Sequence, residues 1–406
     1  MSEDTEHYLR IVEKLADKLC RDALWFENQC NWLGIFHHTQ IANAKILLRA
    51  LPSNFYEGSV GVGFFLAAAF RQFQKPVYKQ TAIGALKKSV GQIHNIRDER
   101  IGFYEGKIGI AYAAIQAGEW LMEEELIAKG KEIIENIIEN KNLSWRLDMQ
   151  EGCTGAIPTL ISLNKKYSFL GIDGFLNSLG EYILEKAKKT KKGWSWKTVD
   201  GNFEDLTGYA HGTAGIAHAL IELFAFSKNE KYFEAVEEAI RYENHFFSEK
   251  YMNWKDNRIT TPKRTSLTHF ALSAWCVGSV GIGFSRIRTF QLTENKKYLI
   301  DIERALKRCE ASMPEFSKSF SLCHGFFGEM SFLLTASQIL NEPSYEKLVT
   351  DKTNSILENY QDFKKPLPDG REFSLENPSF MLGWAGIGYF FLRLATKEFP
   401  EMLMIT

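Results

Sequence analysis

Cysteine is scarce in this sequence, with six residues (Cys20, Cys30, Cys153, Cys276, Cys309 and Cys323) scattered along 406 positions. Too few and too dispersed for a disulfide framework, they point to a reducing compartment, where a thiol is a buried filler, a nucleophile or a metal ligand. An excess of one charge is missing too. Lys plus Arg number 49 against 50 Asp plus Glu, a formal net charge of -1, which argues against nucleic acid as a partner held by bulk electrostatics. No apolar run approaches the roughly 18–20 residues of a membrane span, and Val60 to Phe70 is typical of the longest. The opening stretch MSEDTEHYLRIVEKLADKLC is charged and helical in pattern and does not read as a signal peptide. A cytoplasmic protein that is not integral to a membrane is therefore expected. With ten prolines and no Ser/Gly tract there is no evident linker, so one domain over residues 1–406 is expected. Strand-like alternation is weak apart from short stretches such as Gly193 to Val199.

What the chain does have is a repeat of roughly fifty residues. A Gly-x-x-Gly pair leading into an apolar run recurs seven times, at Gly58/Gly61, Gly106/Gly109, Gly152/Gly155, Gly212/Gly215, Gly278/Gly281, Gly325/Gly328 and Gly383/Gly386. Between the pairs lie charged segments of helical periodicity, including Glu119 to Asn140, Asn229 to Asn244, Glu294 to Ser312 and Tyr345 to Tyr360. These read as outer helices with one wet face. The runs after the glycines are apolar nearly all round, as helices covered on every side must be. Each repeat is thus read as an outer amphipathic helix followed by a buried inner one. The chain has no clearly polar end repeats to cap an open solenoid. The expected fold is all-α, a closed α/α toroid of seven inner and seven outer helices. The glycines would start the inner helices, supplying positive φ and letting loop backbones crowd near the ring axis. Seven helix N-termini would then converge on one depression that favours anions and thiolates.

The two residues before each pair should line that depression. In order they are Tyr56-Glu57, Tyr104-Glu105, Gln150-Glu151, Ala210-His211, Cys276-Val277, Cys323-His324 and Met381-Leu382. Cys276 and Cys323 share a slot in adjacent repeats, and His324 follows at once. Two Cys and one His make a three-ligand zinc set with a vacant fourth position, the arrangement of catalytic zinc. Two thiolates neutralise Zn²⁺, so a third arriving from a substrate makes the site anionic and keeps that sulfur nucleophilic.

The segments SAWCVGSVGIG, SLCHGFFGE and GYAHGTAGIAHAL resemble signature motifs of the lanthionine synthetase C-like family, over almost the whole chain. That family comprises lanthipeptide cyclases and their eukaryotic relatives and is itself a seven-repeat α/α toroid. The resemblance implies one zinc per chain on Cys276, Cys323 and His324. It matches His211 to the histidine of the family's A-H-G motif, and Asp148 to an aspartate four residues before a repeat glycine. The implied reaction is Michael addition of a peptide Cys thiolate to dehydroalanine or dehydrobutyrine, forming a lanthionine or methyllanthionine thioether. His211 would be the general acid, and Asp148 would orient or polarise a proton-transfer partner. The implied partners are a dehydrated precursor peptide, and a dehydratase and an exporter able to hold the protein peripherally at a membrane. Bacterial members tend to carry an Arg four residues before the first zinc Cys and a Tyr just after it. Here those positions are Leu272 and Val277, and Arg264 and Arg286 are candidates for the missing cation.

Two alternatives stay open beside this reading. One is a eukaryotic-like role, binding glutathione or another small thiol for adduct formation or scaffolding. The other, protein prenyl transfer, usually needs an Asp ligand and six repeats. Among the remaining residues, His218 reads as a hydrogen-bonded core histidine and Cys153 as a packed thiol, while His37 and His38 belong to a loop or the surface. Glu57, Glu105 and Glu151 recur in register, and helix capping accounts for them more cheaply than a pair of glycosidase acids. Trp25, Trp32, Trp194, Trp196 and Trp254 lie in polar stretches and are candidates for a peptide groove. A small insertion is expected near 245–268.

Overall fold

The computed structural model describes residues 2–37, 46–140, 144–201, 203–258, 269–312, 317, 319–365, 367 and 377–406. Seven helices form the inner layer: α2 (Ser59–Phe73), α4 (Lys107–Leu121), α6 (Cys153–Tyr167), α8 (Thr213–Ser227), α10 (Ser279–Thr293), α12 (Phe326–Leu340) and α14 (Trp384–Thr396). Each packs on the next and α14 packs on α2, so the layer closes into a ring. Outside it run α1 (Glu3–Arg21), α3 (Pro76–Gly91), α5 (Glu124–Glu139), α7 (Ile172–Glu185), α9 (Glu230–Asn244), α11 (Leu299–Glu310) and α13 (Pro343–Asn359). The α/α toroid read from the repeats is the observed fold.

The pairing differs from the sequence reading in one respect. Five inner helices (α2, α4, α8, α10 and α12) pack chiefly on the outer helix that follows, and α1 crosses the seam to pack on α14. A tight left-handed residue ends every inner helix (Gln74, Met122, Ser168, Lys228, Glu294, Asn341 and Lys397, with φ from 52 to 59°). The turn folds the chain straight back, which makes inner-then-outer the hairpin unit.

The first glycine of every pair is the N-cap of an inner helix. Positive φ explains only Gly278, at 84°. Close approach explains the rest. A Cβ on the second glycine of each pair would stand 1.6 to 2.4 Å from the carbonyl oxygen six residues earlier, on Phe55, Phe103, Met149, Tyr209, Trp275, Leu322 and Phe380 respectively. Those seven residues are buried and plug the axis, with Phe55 against Phe103 and Phe380 at ring distances of 4.6 and 4.7 Å.

Immediately above that plug, backbone hydrogen bonds run in a closed circle through the loops that precede the glycines. Tyr56 N–H donates to Tyr104 O (2.8 Å), Glu105 to Gln150 (2.8 Å), Met149 to Ala210 (3.0 Å) and Ala210 to Cys276 (3.2 Å). Trp275 then donates to Cys323 (2.9 Å), Cys323 to Met381 (3.0 Å) and Met381 back to Tyr56 (2.9 Å). Extended backbone that finds no partner in its own hairpin is satisfied by the neighbouring repeat. The circle fixes the order of the slots around one mouth.

Short antiparallel hairpins follow three outer helices: β1–β2 (Leu24–Phe26, Gln29–Asn31), β5–β6 (Lys188–Thr190, Gly193–Ser195) and β7–β8 (Phe247–Ser248, Asn253–Trp254). A fourth, β3–β4 (Leu33–His37, Ile46–Ala50), leads towards α2. The first three each plant a buried tryptophan on the end of the helix before it. Trp32 Nε1 donates to Leu19 O (2.8 Å), Trp196 to Ile183 O (2.7 Å) and Trp254 to Asn244 Oδ1 (3.2 Å). These indoles cap helices, and of the five tryptophans weighed for a peptide groove only Trp25 is exposed. The expected insertion near 245–268 contains β7–β8, and its residues 259–268 lie outside the described residues, as does His38.

Beyond α14 the chain doubles back up the axis. Pro400 O accepts from Tyr389 OH (2.9 Å), Met402 O from Tyr104 OH (2.8 Å) and Leu403 O from Trp275 Nε1 (2.8 Å). Met402, Leu403, Met404 and Ile405 are buried, so this segment fills the ring beneath the mouth. Among the described residues no helix is long and apolar enough to cross a membrane.

Candidate functional site

The mouth is built from the residues before the glycines, because the helices below it are packed solid. Cys276 and Cys323 arrive from the same slot of adjacent repeats, joined through the Trp275 N–H to Cys323 O bond, and each acts electrostatically on the other. Tyr56, from the same slot of the first repeat, reaches across and donates its phenol to Cys323 Sγ at 2.8 Å. The thiol pair is asymmetric. Cys276 is shifted below the ordinary thiol value, first by the hydrogen bond from Cys323 and then by the charges of Arg258 and His211, against the opposing push of burial. Burial and the neighbouring Cys276 hold Cys323 well above it. The pair is thus unequal, with Cys276 the more acidic of the two thiols.

Arg258 brings a positive charge to this mouth. Asp256 grips it bidentately, at 3.0 Å from Nε and 2.9 Å from Nη2, and its charge acts on both thiols. Of the two arginines proposed from the sequence, Arg286 is not placed there. Arg286 is fully buried between Glu243 (2.8 Å) and Asp301 (3.1 Å), and Arg264 lies outside the described residues. Sequence spacing missed Arg258 because its place is set by the turn after β8 and not by the repeat.

His211 and Asp148 come together from the fourth and third repeats, with Nδ1 3.3 Å from Oδ2. Asp148 is nearly buried, and its other oxygen accepts from Glu151 N–H at 2.6 Å, so the carboxylate is aimed. Thr198 Oγ1 holds the His211 carbonyl. Burial pulls the imidazole pKa down, but Asp148 outweighs it and the net shift is upward. Glu105 completes the wall. It accepts from Gln150 Nε2, and burial pushes its pKa to about 7.

The third expected ligand stands differently. His324 follows Cys323 on the turn into α12, with its N–H 3.4 Å from Ser321 Oγ, and its side chain is exposed at the mouth. Among the described residues no three His, Cys, Asp or Glu side chains stand close enough together to hold a metal ion. The donor chemistry nevertheless fits a thiophilic dication. Two soft sulfurs occupy equivalent slots of adjacent repeats, Cys276 is the more acidic of them, and the residue after Cys323 carries an imidazole.

The acidic register has another explanation than capping, since no inner helix has a side-chain cap bond at its N-terminus. Glu151 pairs with Arg100 (3.1 Å) and Arg146 (3.5 Å), and Glu57 with Arg49 (3.9 Å). Cys153 is fully buried in the first turn of α6, and His218 is fully buried with Nε2 3.1 Å from Ile405 O. Leu272 is exposed and Val277 buried, so neither brings a polar group to the thiols.

Fold and mouth together define a toroidal protein whose floor joins a thiol pair to an imidazole–carboxylate pair. The chain belongs to the lanthionine synthetase C-like protein family, which it matches over residues 49–404. It is 24% identical over 355 residues to the lacticin 481/lactococcin biosynthesis protein LcnDR2 of Lactococcus lactis subsp. lactis. That match takes in 82% of this chain and 34% of the relative, so the chain spans about a third of that protein's length. It is 22% identical to the glutathione S-transferase LANCL1 of Danio rerio, over 71% of each chain. Among solved structures, nisin cyclase superposes with a TM-score of 0.65 at 17% identity, over 96% of this chain and 94% of that one. A family 76 glycoside hydrolase from a bovine Bacteroides thetaiotaomicron strain superposes at 0.51 and 11% identity, over 97% and 78%. At these identities the likeness is one of fold, and the toroid alone does not choose a chemistry.

Proposed function

We propose that this protein is a lanthipeptide cyclase, closing thioether rings in a dehydrated precursor peptide, with zinc held by Cys276, Cys323 and His324. The observation that carries the reading is the meeting of the Cys276–Cys323 pair with the His211–Asp148 pair on one floor, at the N-terminal ends of the inner helices. Zinc bound there supplies Lewis acidity that keeps a substrate thiol ionised at neutral pH. His324, next to Cys323 at the mouth, would be the third ligand.

The substrate thiolate attacks the β-carbon of dehydroalanine or dehydrobutyrine. A C–S bond forms, and the alkene's electron pair moves onto the α-carbon and its carbonyl as an enolate. Arg258 and the helix N-termini favour that negative charge. His211, whose protonated form Asp148 favours, delivers the proton to the α-carbon and recovers one from solvent, so S–H has added across C=C. The alkene must come from dehydration of Ser or Thr, which places a dehydratase before this step.

Incubation with a dehydrated, Cys-containing peptide tests the reading. Ring closure leaves the peptide mass unchanged and removes its alkylatable thiol, which thiol alkylation followed by mass spectrometry reads. Loss of thiol no faster than without protein overturns the proposal. Metal analysis tests the ligands separately, because Cys276→Ala should lose the zinc and equal zinc in both proteins breaks the assignment. A second reading, addition of glutathione or another small thiol, is favoured by the aliphatic Leu272 and Val277. It predicts turnover with glutathione and none with the peptide.

A further inference from the structure

The resident thiols pose a problem for the reaction proposed above. An electrophilic alkene entering the mouth meets three sulfurs, the substrate's and those of Cys276 and Cys323. Addition of a resident sulfur would form a C–S bond at the β-carbon, place a proton from solvent on the α-carbon and leave the protein alkylated.

Tyr56 sits where it can prevent this at Cys323. It occupies in the first repeat the slot that the two cysteines occupy in the fifth and sixth. The backbone circle fixes it, with its N–H on Tyr104 O (2.8 Å) and its carbonyl receiving Met381 N–H (2.9 Å). From there its phenol crosses to Cys323 Sγ at 2.8 Å. In that contact the phenol O–H is the donor and the sulfur the acceptor. Tyr104 fills the same slot one repeat on, yet its hydroxyl turns down the axis to Met402 O (2.8 Å). Of the two slot tyrosines, Tyr56 is the one set on a sulfur.

We propose that Tyr56 is a positioning residue that masks Cys323. Its O–H···S bond draws charge from the sulfur, occupies a lone pair and covers one approach, leaving the alkene to the substrate thiolate. Hydrogen bonds to ionised acceptors are among the stronger ones, and donors to metal-bound ligands tune the metal as well. The inference rests on the thioether-forming reading, and the two can fail separately.

The test uses wild type, Tyr56→Phe and Tyr104→Phe, each metal-free and cobalt-loaded. All are exposed to N-acetyldehydroalanine methyl ester without any added thiol, and adducts are mapped to Cys323 and Cys276 by mass spectrometry. Tyr56→Phe should raise the ratio of Cys323 to Cys276 adducts about 10-fold. It should also shift the sulfur-to-cobalt charge-transfer band. Tyr104→Phe, which removes the same oxygen from the same slot, should leave both as in wild type. A wild-type ratio and band in Tyr56→Phe overturn the proposal, and so does an equal response from Tyr104→Phe. Should wild type take up no cobalt, the metal reading falls, while the adduct ratio in metal-free protein still decides the role of Tyr56.

Discussion

Two histidines seven residues apart show how differently the mouth and the interior of this toroid treat one side chain. His211, just before α8, is 30% exposed and stands 3.3 Å from Asp148, which raises its pKa despite partial burial. His218, two turns down the same helix, is 0% exposed and lies edge-on to Tyr209 at 5.6 Å. Burial outweighs every neighbour there and pulls its pKa to about 4. Glu222 is 4.0 Å away, but Arg288 engages both its carboxylate oxygens. One imidazole can carry a proton at neutral pH and the other cannot. The lesson is spatial. The ionisable pairs that line the mouth belong to the loops before the glycines, and the helices below them are scaffold.

The strongest way to break that division is to exchange the mouth histidine. His211→Gln keeps a polar side chain and removes the acid, so the rate of ring closure should fall about 10²–10⁴-fold. Thermal stability should stay within about 1 kcal/mol of wild type, since the imidazole is part-exposed and packs little. Single-turnover thiol loss and a melting curve on the same preparation read the two together. Unchanged turnover would move the acid elsewhere, with Glu105 as the next group on that wall.

The interior offers the converse experiment. Arg286 Nη2 meets Glu243 Oε2 at 2.8 Å and Nε meets Asp301 Oδ2 at 3.1 Å, all in a region closed to solvent. Glu243 Oε1 also accepts Gly208 N–H at 3.0 Å, which ties the triad to the loop that carries His211. Arg286→Met removes the buried counter-charge of Glu243, while Asp301 keeps Arg304 at 3.1 Å, and should cost about 3–5 kcal/mol in urea unfolding. The molecules that remain folded should keep their turnover within about 3-fold, because the triad touches no group of the mouth. A large loss of turnover at full folding would show that the interior controls the site through Gly208.

The same contrast explains what the sequence made legible. Fourteen glycines in register announce the ring, since a Cβ there would strike the loop backbone four to six residues back; the register therefore also marked the slots, and with them Cys276, Cys323, Tyr56 and the His211 wall. Two features were beyond that register. The hairpin order was misread because the left-handed turns that create it are made by Gln74, Met122, Lys228 and others, residue types with no turn signature. Arg258 escaped because a cation placed by an irregular loop leaves no period, and Tyr56 was visible in its slot without any sign of where its phenol points.

The smallest effect expected sharpens the contrast through pH alone. His218 has an ordinary pKa near 6.5 and one of about 4 in the fold, so the folded protein prefers the neutral ring. Its contribution to stability is then fully present above pH 6.5 and is lost as the pH falls through 4, by about 3 kcal/mol at that pH. Glu329, buried in the first turn of α12, runs the other way, with burial pushing its carboxyl to about 7. A carboxyl raised in this manner stabilises most below its ordinary range near 4.5 and loses that stability as the pH rises through 7. Urea midpoints measured from pH 4 to pH 8 should therefore lose their acid-side slope in His218→Asn and their alkaline-side slope in Glu329→Gln. Each variant should leave the other limb in place, because one side chain lies in α8 under the mouth and the other beside Arg308 and Lys352. Parallel curves for wild type and His218→Asn would mean that the deep imidazole titrates normally, and the distinction between mouth and interior would lose its electrostatic basis.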